Sequence, residues 1–291
     1  MISFRHHVVS LVAVLLALAA GVTLGGGPLS DLGRTATPEL RSENADLKSQ
    51  LKEATASDSV AEDVLDQHGD RLLSGMLKDL RVAVVALPGA PEEARAGLTE
   101  KIKQAGGRLV ANYELLEKAY APEGKSLVDT LGSQLAEDAE GIAADATTYE
   151  RLGQLIAQVV MAGPGEATSR VSSLSSAELL TAGEQASAAD LVVVLAGDDT
   201  RQVETDALAD LLGGVDSGVD GSVTVASEAS GRDGLLAGLR DDEGWAAASS
   251  SVDSIDTTSG LVSTVFALAA DAAGGRGHYG AFGADGAAPQ P

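Results

Sequence analysis

The side chains able to do chemistry are few and far apart. The histidines are His6, His7, His68 and His278. No two of them sit at the i, i+4 spacing that clamps a metal on one helix face, and none partners a Gly-x-Ser-x-Gly elbow. No hydrolase set is visible. The absence of cysteine removes disulfides, thiolate zinc sites and cysteine nucleophiles together. Beyond Met1 the only thioethers are Met76 and Met161, too few soft donors for one chain to build a soft-metal cage. The metal candidates are therefore histidines. His6 and His7 could bind a metal transiently, but basic flanking of an apolar helix accounts for them as well. His278 lies in Gly274-Gly275-Arg276-Gly277-His278-Tyr279-Gly280, where a glycine can stop the preceding helix. Tyr279 can pack back on the domain, or the loop can present both rings to a partner.

Two further stretches invite a chemical reading. Ala119-Tyr120-Ala121-Pro122-Glu123-Gly124-Lys125-Ser126 fits a relaxed phosphate loop, with the acid of Leu191–Asp198 (LVVVLAGD) in the place of a Walker B aspartate. A phosphate loop needs a buried strand before it and free amides around the phosphates. Here an amphipathic Glu114–Lys118 precedes, Pro122 removes an amide, and an ordinary loop with an exposed lysine is the better reading. Asp198 and Asp199 follow the most apolar strand, where open α/β sheets place ligands, and paired acids can hold a divalent cation. Asp199-Thr200-Arg201-Gln202 reads better as a helix cap with Gln returning to the cap amide.

Bulk composition narrows the partners. A hydrophobic content of 44% in 291 residues is enough for a packed core of one or two domains. With 3% aromatics and a formal net charge of -23, the chain has neither stacking platforms nor a basic stripe for nucleic acid.

The elements that must position these residues begin with an apolar run. Val8 to Ser30 carries no formal charge and is long enough to span a hydrocarbon core. Arg5, His6 and His7 precede it, so the N-terminus is expected in the cytoplasm and everything after Asp31 outside, a single-pass topology. The competing reading is a secretory signal with an Ala-x-Ala exit at Ala17 to Ala19, although that tripeptide lies inside the apolar run. Either way the main domain is exported to the cell envelope.

From Pro38 to Leu72 the pattern is heptad-like. Leu40, Leu47, Ala54, Ala61 and His68 fall at d, and Asn44, Leu51, Asp58, Leu65 and Leu72 at a. The first two heptads carry the seam, Leu40, Asn44, Leu47 and Leu51, and Asn44 favours a parallel pairing that would make a homo-oligomer. The alternative is a single amphipathic helix lying on its own domain.

Beyond the stalk the pattern becomes α/β. Strands are expected at Leu80–Leu87, Arg108–Tyr113, Leu191–Ala196 and Val223–Ala226. Helices are expected at Pro91–Gly106, Leu127–Leu135, Thr147–Met161, Ser175–Ala186, Gln202–Leu212 and Thr258–Ala272. The expected fold class is α/β: an N-terminal transmembrane helix (1–30), a coiled-coil-like stalk (31–78), and a doubly wound, mostly parallel sheet domain of about four or five strands (79–280). A disordered Gly/Ala/Pro tail (281–291) would close the chain.

Three features together resemble a known family: the opening Met-Ile-Ser-Phe-Arg-His-His, the stalk stretch Leu40-Arg41-Ser42-Glu43-Asn44-Ala45-Asp46-Leu47, and the closing Gly277-His278-Tyr279-Gly280. They are similar to the actinobacterial copper transporter family. The resemblance implies a membrane-attached, pore-forming envelope protein of copper efflux and resistance, with copper as the transported ion; with no arranged nucleophile, base or metal set in the sequence, neither an enzyme nor a resident cofactor is expected. One apolar helix cannot enclose a channel, so a pore would need several chains touching through the Gly/Ala face around Gly21 and Gly25. No metal ligand carries over. The alternative function is a membrane-tethered scaffold or ligand-binding module that binds an envelope partner and conducts nothing.

Overall fold

The computed structural model describes residues 4–25, 28–197 and 205–290, with side chains over 10–21, 40–183, 185–197 and 205–290. The chain forms two compact units, Met1–Ala61 and Glu62–Pro291.

The first unit is helical. It holds α1 (Phe4–Gly25) and most of α2 (Pro28–Leu73). Along α1 the side chains of Leu11, Val12, Val14, Leu15, Leu16 and Leu18 are exposed. Among the described residues no helix is long and apolar enough to cross a membrane. The stalk expected from residue 31 is a continuous helix that starts at Pro28. On it Leu40, Leu47 and Leu51 are each more than half exposed, and Asn44 is exposed beside them.

The second unit starts inside α2. Leu73 is fully buried and joins one of the domain's cores, so the globular part includes the last turns of the stalk helix rather than beginning at residue 79. It continues with β1 (Arg81–Ala86), α3 (Glu92–Gln104), β2 (Arg108–Leu115), α4 (Lys125–Glu137), α5 (Thr148–Met161), α6 (Thr168–Ser176), β3 (Leu180–Gln185) and β4 (Leu191–Leu195). After these come α7 (Thr205–Ser217), β5 (Gly221–Val225), α8 (Glu228–Asp233), α9 (Leu235–Asp241), α10 (Glu243–Ala248), β6 (Ser250–Val252), α11 (Thr258–Ala272) and β7 (His278–Tyr279).

The strands form one sheet in the order β3-β2-β1-β4-β5-β6-β7. Among the described residues only the β2–β3 pair is antiparallel; the other pairs are parallel. The period of two divides each central strand between two cores. Ala83 and Val85 of β1, with Val192 and Val194 of β4, face Leu152, Ile156, Leu208 and Leu211. Val82 and Val84, with Leu191, Val193 and Leu195, face Leu98, Ile102, Val265 and Leu268. Both faces of the sheet are covered, as near-continuous apolar strands require. The expected α5 is present with its capping box, Thr147 Oγ1 accepting from Glu150 N–H and Glu150 Oε2 accepting from Thr147 N–H.

Several expectations are corrected. The sheet has seven strands rather than four or five. The helix expected over 175–186 is the end of α6, a turn and the antiparallel β3. Glu178, at φ 58°, reverses the chain after the Ala177 cap and sends Leu179 and Leu180 into the core. The strands β6 and β7 carry almost no apolar signal. Ser250 and Ser251 are buried because their hydroxyls bond to buried charged partners, Asp271 and Arg240. The chain after Gly280, expected to be disordered, is hydrogen-bonded through residue 286: Gly280 N–H donates to Gly286 O and Asp285 N–H to His278 O, both at 2.9 Å.

Candidate functional site

Strand order reverses direction between β1 and β4, the position where open α/β sheets form a crevice beyond their carboxyl ends. A crevice of about 150 Å³ lies there, lined by Leu87, Gly89, Pro91, Glu92, Arg95, Glu114 and Leu195 among others. It is shaped by backbone. Leu87 N–H donates to Leu195 O at 2.8 Å, and a Cβ on Gly197 would run into Pro88 O and the Gly89 carbonyl carbon. Only glycine lets the two strand-end loops approach this closely. Arg95 is ion-paired to Glu92, and Glu114 is exposed at the end of β2. The volume is below the roughly 300–1,000 Å³ of pockets for drug-sized ligands.

The second polar constellation is buried and surrounds the closing Gly-His-Tyr-Gly. Asp253, just past β6, is fully buried. Its Oδ2 accepts from Arg240 Nη1 at 2.8 Å and Phe282 N–H at 3.0 Å, and its Oδ1 from Ser254 Oγ at 2.8 Å and Ala281 N–H at 2.5 Å. Arg240 also donates from Nε to Ser251 Oγ and from Nη2 to Tyr279 O, each at 2.9 Å. Each acceptor position of the carboxylate is thus matched by a donor, the condition under which a buried charge is tolerated. Gly280 has φ 112° and packs against the same carboxylate, where a Cβ would overlap Asp253 Oδ1.

His278 belongs to this network. Its Nε2 is 2.9 Å from Ala246 O, a pure acceptor, so Nε2 carries the proton. Its Nδ1 then accepts from Ser251 Oγ at 2.8 Å, and the ring stacks on Trp245 at 5.8 Å. Burial pushes the imidazole below the usual histidine range; the bond to Ala246 O opposes this, and the Arg240 charge adds to it. The ring is therefore neutral and both nitrogens are engaged. Ser251 and His278 stand as close as a nucleophile and its base, yet Ser251 is completely buried and already accepts from Arg240. The arrangement locks a strand in place and leaves no path for a substrate.

A third cluster, also missed from sequence, ties α11 to β5 and β6. Asp271 accepts from Ser222 N–H at 2.9 Å and Ser250 Oγ at 2.5 Å and pairs with Arg276 at 3.0 Å. Asp216 accepts from Ser222 Oγ at 2.6 Å and lies 3.8 Å from Arg276. Burial pushes both carboxyls above their ordinary range, against the pull of these donors. Glu62 of α2 caps the N-terminus of α11, accepting from the N–H groups of Thr258 and Ser259. Sequence reasoning had no route to the long-range part of these contacts, since Ser250 and Ser222 are 21 and 49 residues from Asp271 and Ser259 is 197 residues from Glu62.

The sequence candidates separate as follows. His6, His7 and Gly25 fall in α1, the two histidine side chains and the surroundings of Gly25 lying outside what is described, and Asp198 and Asp199 lie entirely outside the described residues. Gly21 lies in α1 with open space around it, and His68 is exposed on α2. Among the described residues no group of three His, Cys, Asp or Glu is placed to hold a metal ion. The phosphate-loop-like stretch starts at the end of one 3₁₀ turn, Glu117–Ala119, and contains a second, Pro122–Gly124. The N–H groups of Ala119, Tyr120, Ala121 and Gly124 all donate to local carbonyls, leaving them no role around a phosphate.

Topology and sites define the class as a mixed α/β domain with a mostly parallel sheet, preceded in the chain by the long helix α2. Over residues 1–289 the chain matches the family described as "Copper transport outer membrane protein, MctB", and it belongs to that family. It is 36% identical over 151 residues to proteins named copper transporter MctB in Mycobacterium tuberculosis and Mycobacterium bovis, covering 47% of this chain and 47% of each relative. A Mycobacterium leprae protein of the same name is 33% identical over 125 residues, 40% of this chain and 38% of that relative. By these alignments the chain spans about half the length of the curated relatives it matches. The relatives are named as transporters, and neither they nor the family description names an enzyme.

Proposed function

We propose that this chain is a membrane-anchored envelope protein of copper efflux, held by a single N-terminal span with the α/β domain outside the cytoplasm. The observation that carries this reading is the family match over residues 1–289. The exposed Leu11, Leu15, Leu16 and Leu18 of α1 support an apolar environment for that helix, since so many large aliphatic side chains are seldom left to water. The exposed Leu40, Leu47 and Leu51 with Asn44 support assembly of two or more chains through the stalk, with Gly21 and Gly25 as the helix contact in the bilayer. In this reading copper is cargo passed by an assembly. With no cysteine and only Met76 and Met161 as thioethers beyond Met1, the chain is poorly equipped to store it.

The test is metal tolerance of a strain lacking the gene, with and without the full chain restored. Copper sensitivity that rises in the deletion and is reversed by the restored chain, with zinc and nickel tolerance unchanged, is the expected result. Unaltered copper tolerance overturns the reading.

The crevice between β1 and β4 favours a second reading, a tethered scaffold whose domain binds a small ligand or an envelope partner and conducts nothing. Full-length protein that gives no conductance in planar bilayers and reproducibly captures one partner would decide for it.

A further inference from the structure

The closing Gly-His-Tyr-Gly is joined to α11 through Ala273, Gly274, Gly275 and Arg276, and then runs along the edge of β6. Tyr279 is buried in the core that contains Val252; the rest of the segment's hold on the domain is that of a bound peptide. Two parallel ladder bonds join it to β6 and its flank, Ser251 N–H to Gly277 O at 3.0 Å and Asp253 N–H to Tyr279 O at 3.1 Å. The His278 ring enters a slot made by Trp245, Ala246 and Ser251. Glycine at 280 lets the backbone cross the Asp253 carboxylate, and the next two N–H groups, of Ala281 and Phe282, chelate it. Arg240 binds Tyr279 O from the other side, and Arg232 lies over the Phe282 ring at 5.0 Å. Past Tyr279 the segment is mostly solvent-exposed, so it adds little to either core.

We propose that the β6 edge, with Arg240, Asp253 and the Trp245 slot, is a peptide-acceptor groove whose resident occupant is the chain's own segment from Gly277 to Phe282. The groove recognises an extended strand with a flat ring, then a residue whose carbonyl meets Arg240, then glycine, then two free N–H groups. The same C-terminal segment of a second copy can enter only when the resident segment leaves. The proposal goes beyond the copper reading and stands without it.

The groove is a separate site only if the segment opens without the domain unfolding. Native-state hydrogen exchange of the intact full chain in sub-denaturing urea tests this directly. The N–H groups of Ser251, Asp253, Ala281 and Phe282 are expected to exchange at least about tenfold faster than those of β4, and with a weaker urea dependence. Exchange of both sets with one rate and one urea slope overturns the proposal. A second measurement uses full-length Gly280→Ala, whose own segment cannot seat over Asp253. It is expected to bind a fluorescein-labelled peptide of residues 274–288 saturably, whereas the wild type binds it at least about tenfold more weakly because its groove is occupied. Adding Arg240→Met should abolish the binding. A folded Gly280→Ala variant that binds no peptide, or binds it equally with Arg240→Met, also overturns the proposal. If Gly280→Ala does not fold, the wild-type exchange result decides alone.

Discussion

Arg240 of α9 and Asp253 at the end of β6 form a buried ion pair at 2.8 Å, with side chains 10% and 0% exposed. The pair holds three segments together, because the same guanidinium reaches Ser251 and Tyr279 and the same carboxylate reaches Ala281 and Phe282. Truncating one partner of such a pair leaves a buried charge and several unmatched donors. Arg240→Met and Asp253→Asn are each expected to lower unfolding stability by about 3–5 kcal/mol in urea titrations. Arg240→Lys should fall nearer to Arg240→Met than to wild type, because one ammonium cannot reproduce the planar fork. A loss below about 1 kcal/mol in both truncations would show that the network is not the lock described.

Glu62, at the start of the second unit, caps α11. Partial burial pushes its carboxyl upward, but the bonds from Ser259 and Thr258 outweigh this and hold it below the ordinary range. A carboxyl lowered on folding contributes stability above its unfolded pKa, near 4.3, and loses that contribution as the pH falls through the folded value. Glu62→Gln is therefore expected to be destabilising by about 0.3–1 kcal/mol at pH 7. At a pH below the folded value it should be nearly neutral. Urea unfolding of both proteins at the two pH values checks this, and an equal difference at both would remove the charge-specific role.

Asp216 and Asp271 run in the opposite direction. Their carboxyls are raised by burial, with Arg276, Ser222 and Ser250 as the groups facing them. In the window between the unfolded value, near 3.9, and the raised folded values, the folded state binds more protons than the unfolded chain. Stability from this pair therefore increases as pH falls from neutrality and decreases as pH rises. The double variant Asp216→Asn with Asp271→Asn should flatten that part of the profile, from about pH 4 upward. An unchanged profile would mean that both acids are ionised in the fold throughout.

The legible parts of this chain are those where apolar periodicity and local signals act together. The run Leu191–Ala196 reads as a buried strand and is β4, and the helix expected over Thr147–Met161 is α5, which the structure opens with a Thr147–Glu150 capping box. The illegible parts are built from distant polar pairing. Ser250 and Ser251 carry no strand signal, yet they are buried in β6 because Asp271 and Arg240 arrive from other elements. The helix-like spelling Ser175–Ala186 fails for a related reason. Ser175 Oγ bonds to Leu180 O and Glu178 takes a positive φ, so a local turn overrides helix propensity. At the candidate sites the sequence singled out His278 but could not tell a ligand from a lock, since Ser251, Trp245 and Ala246 lie 27 to 33 residues upstream.

The stalk gives the last prediction. Leu40, Leu47 and Leu51 are exposed on α2, and Asn44 falls among them at an a position of the heptad. In a parallel two-stranded coil, facing a positions bring their Cα atoms near the 4.4–6.8 Å that a disulfide requires, whereas f positions point away from the partner. Because the chain has no cysteine, each introduced thiol reports on one position without competition. Under mild oxidation, full-length Asn44→Cys is expected to run as a crosslinked dimer. Ser49→Cys, at an outward f position where Ser49 Oγ lies 3.5 Å from Glu53 Oε1, should stay monomeric on the same gel. Adding Leu47→Arg and Leu51→Arg to the Asn44→Cys chain places like charges across the seam and should abolish the crosslink without changing the helical signal. Crosslinking that is equal at positions 44 and 49, or absent at both, would remove the parallel stalk and with it the means proposed for holding two N-terminal helices side by side.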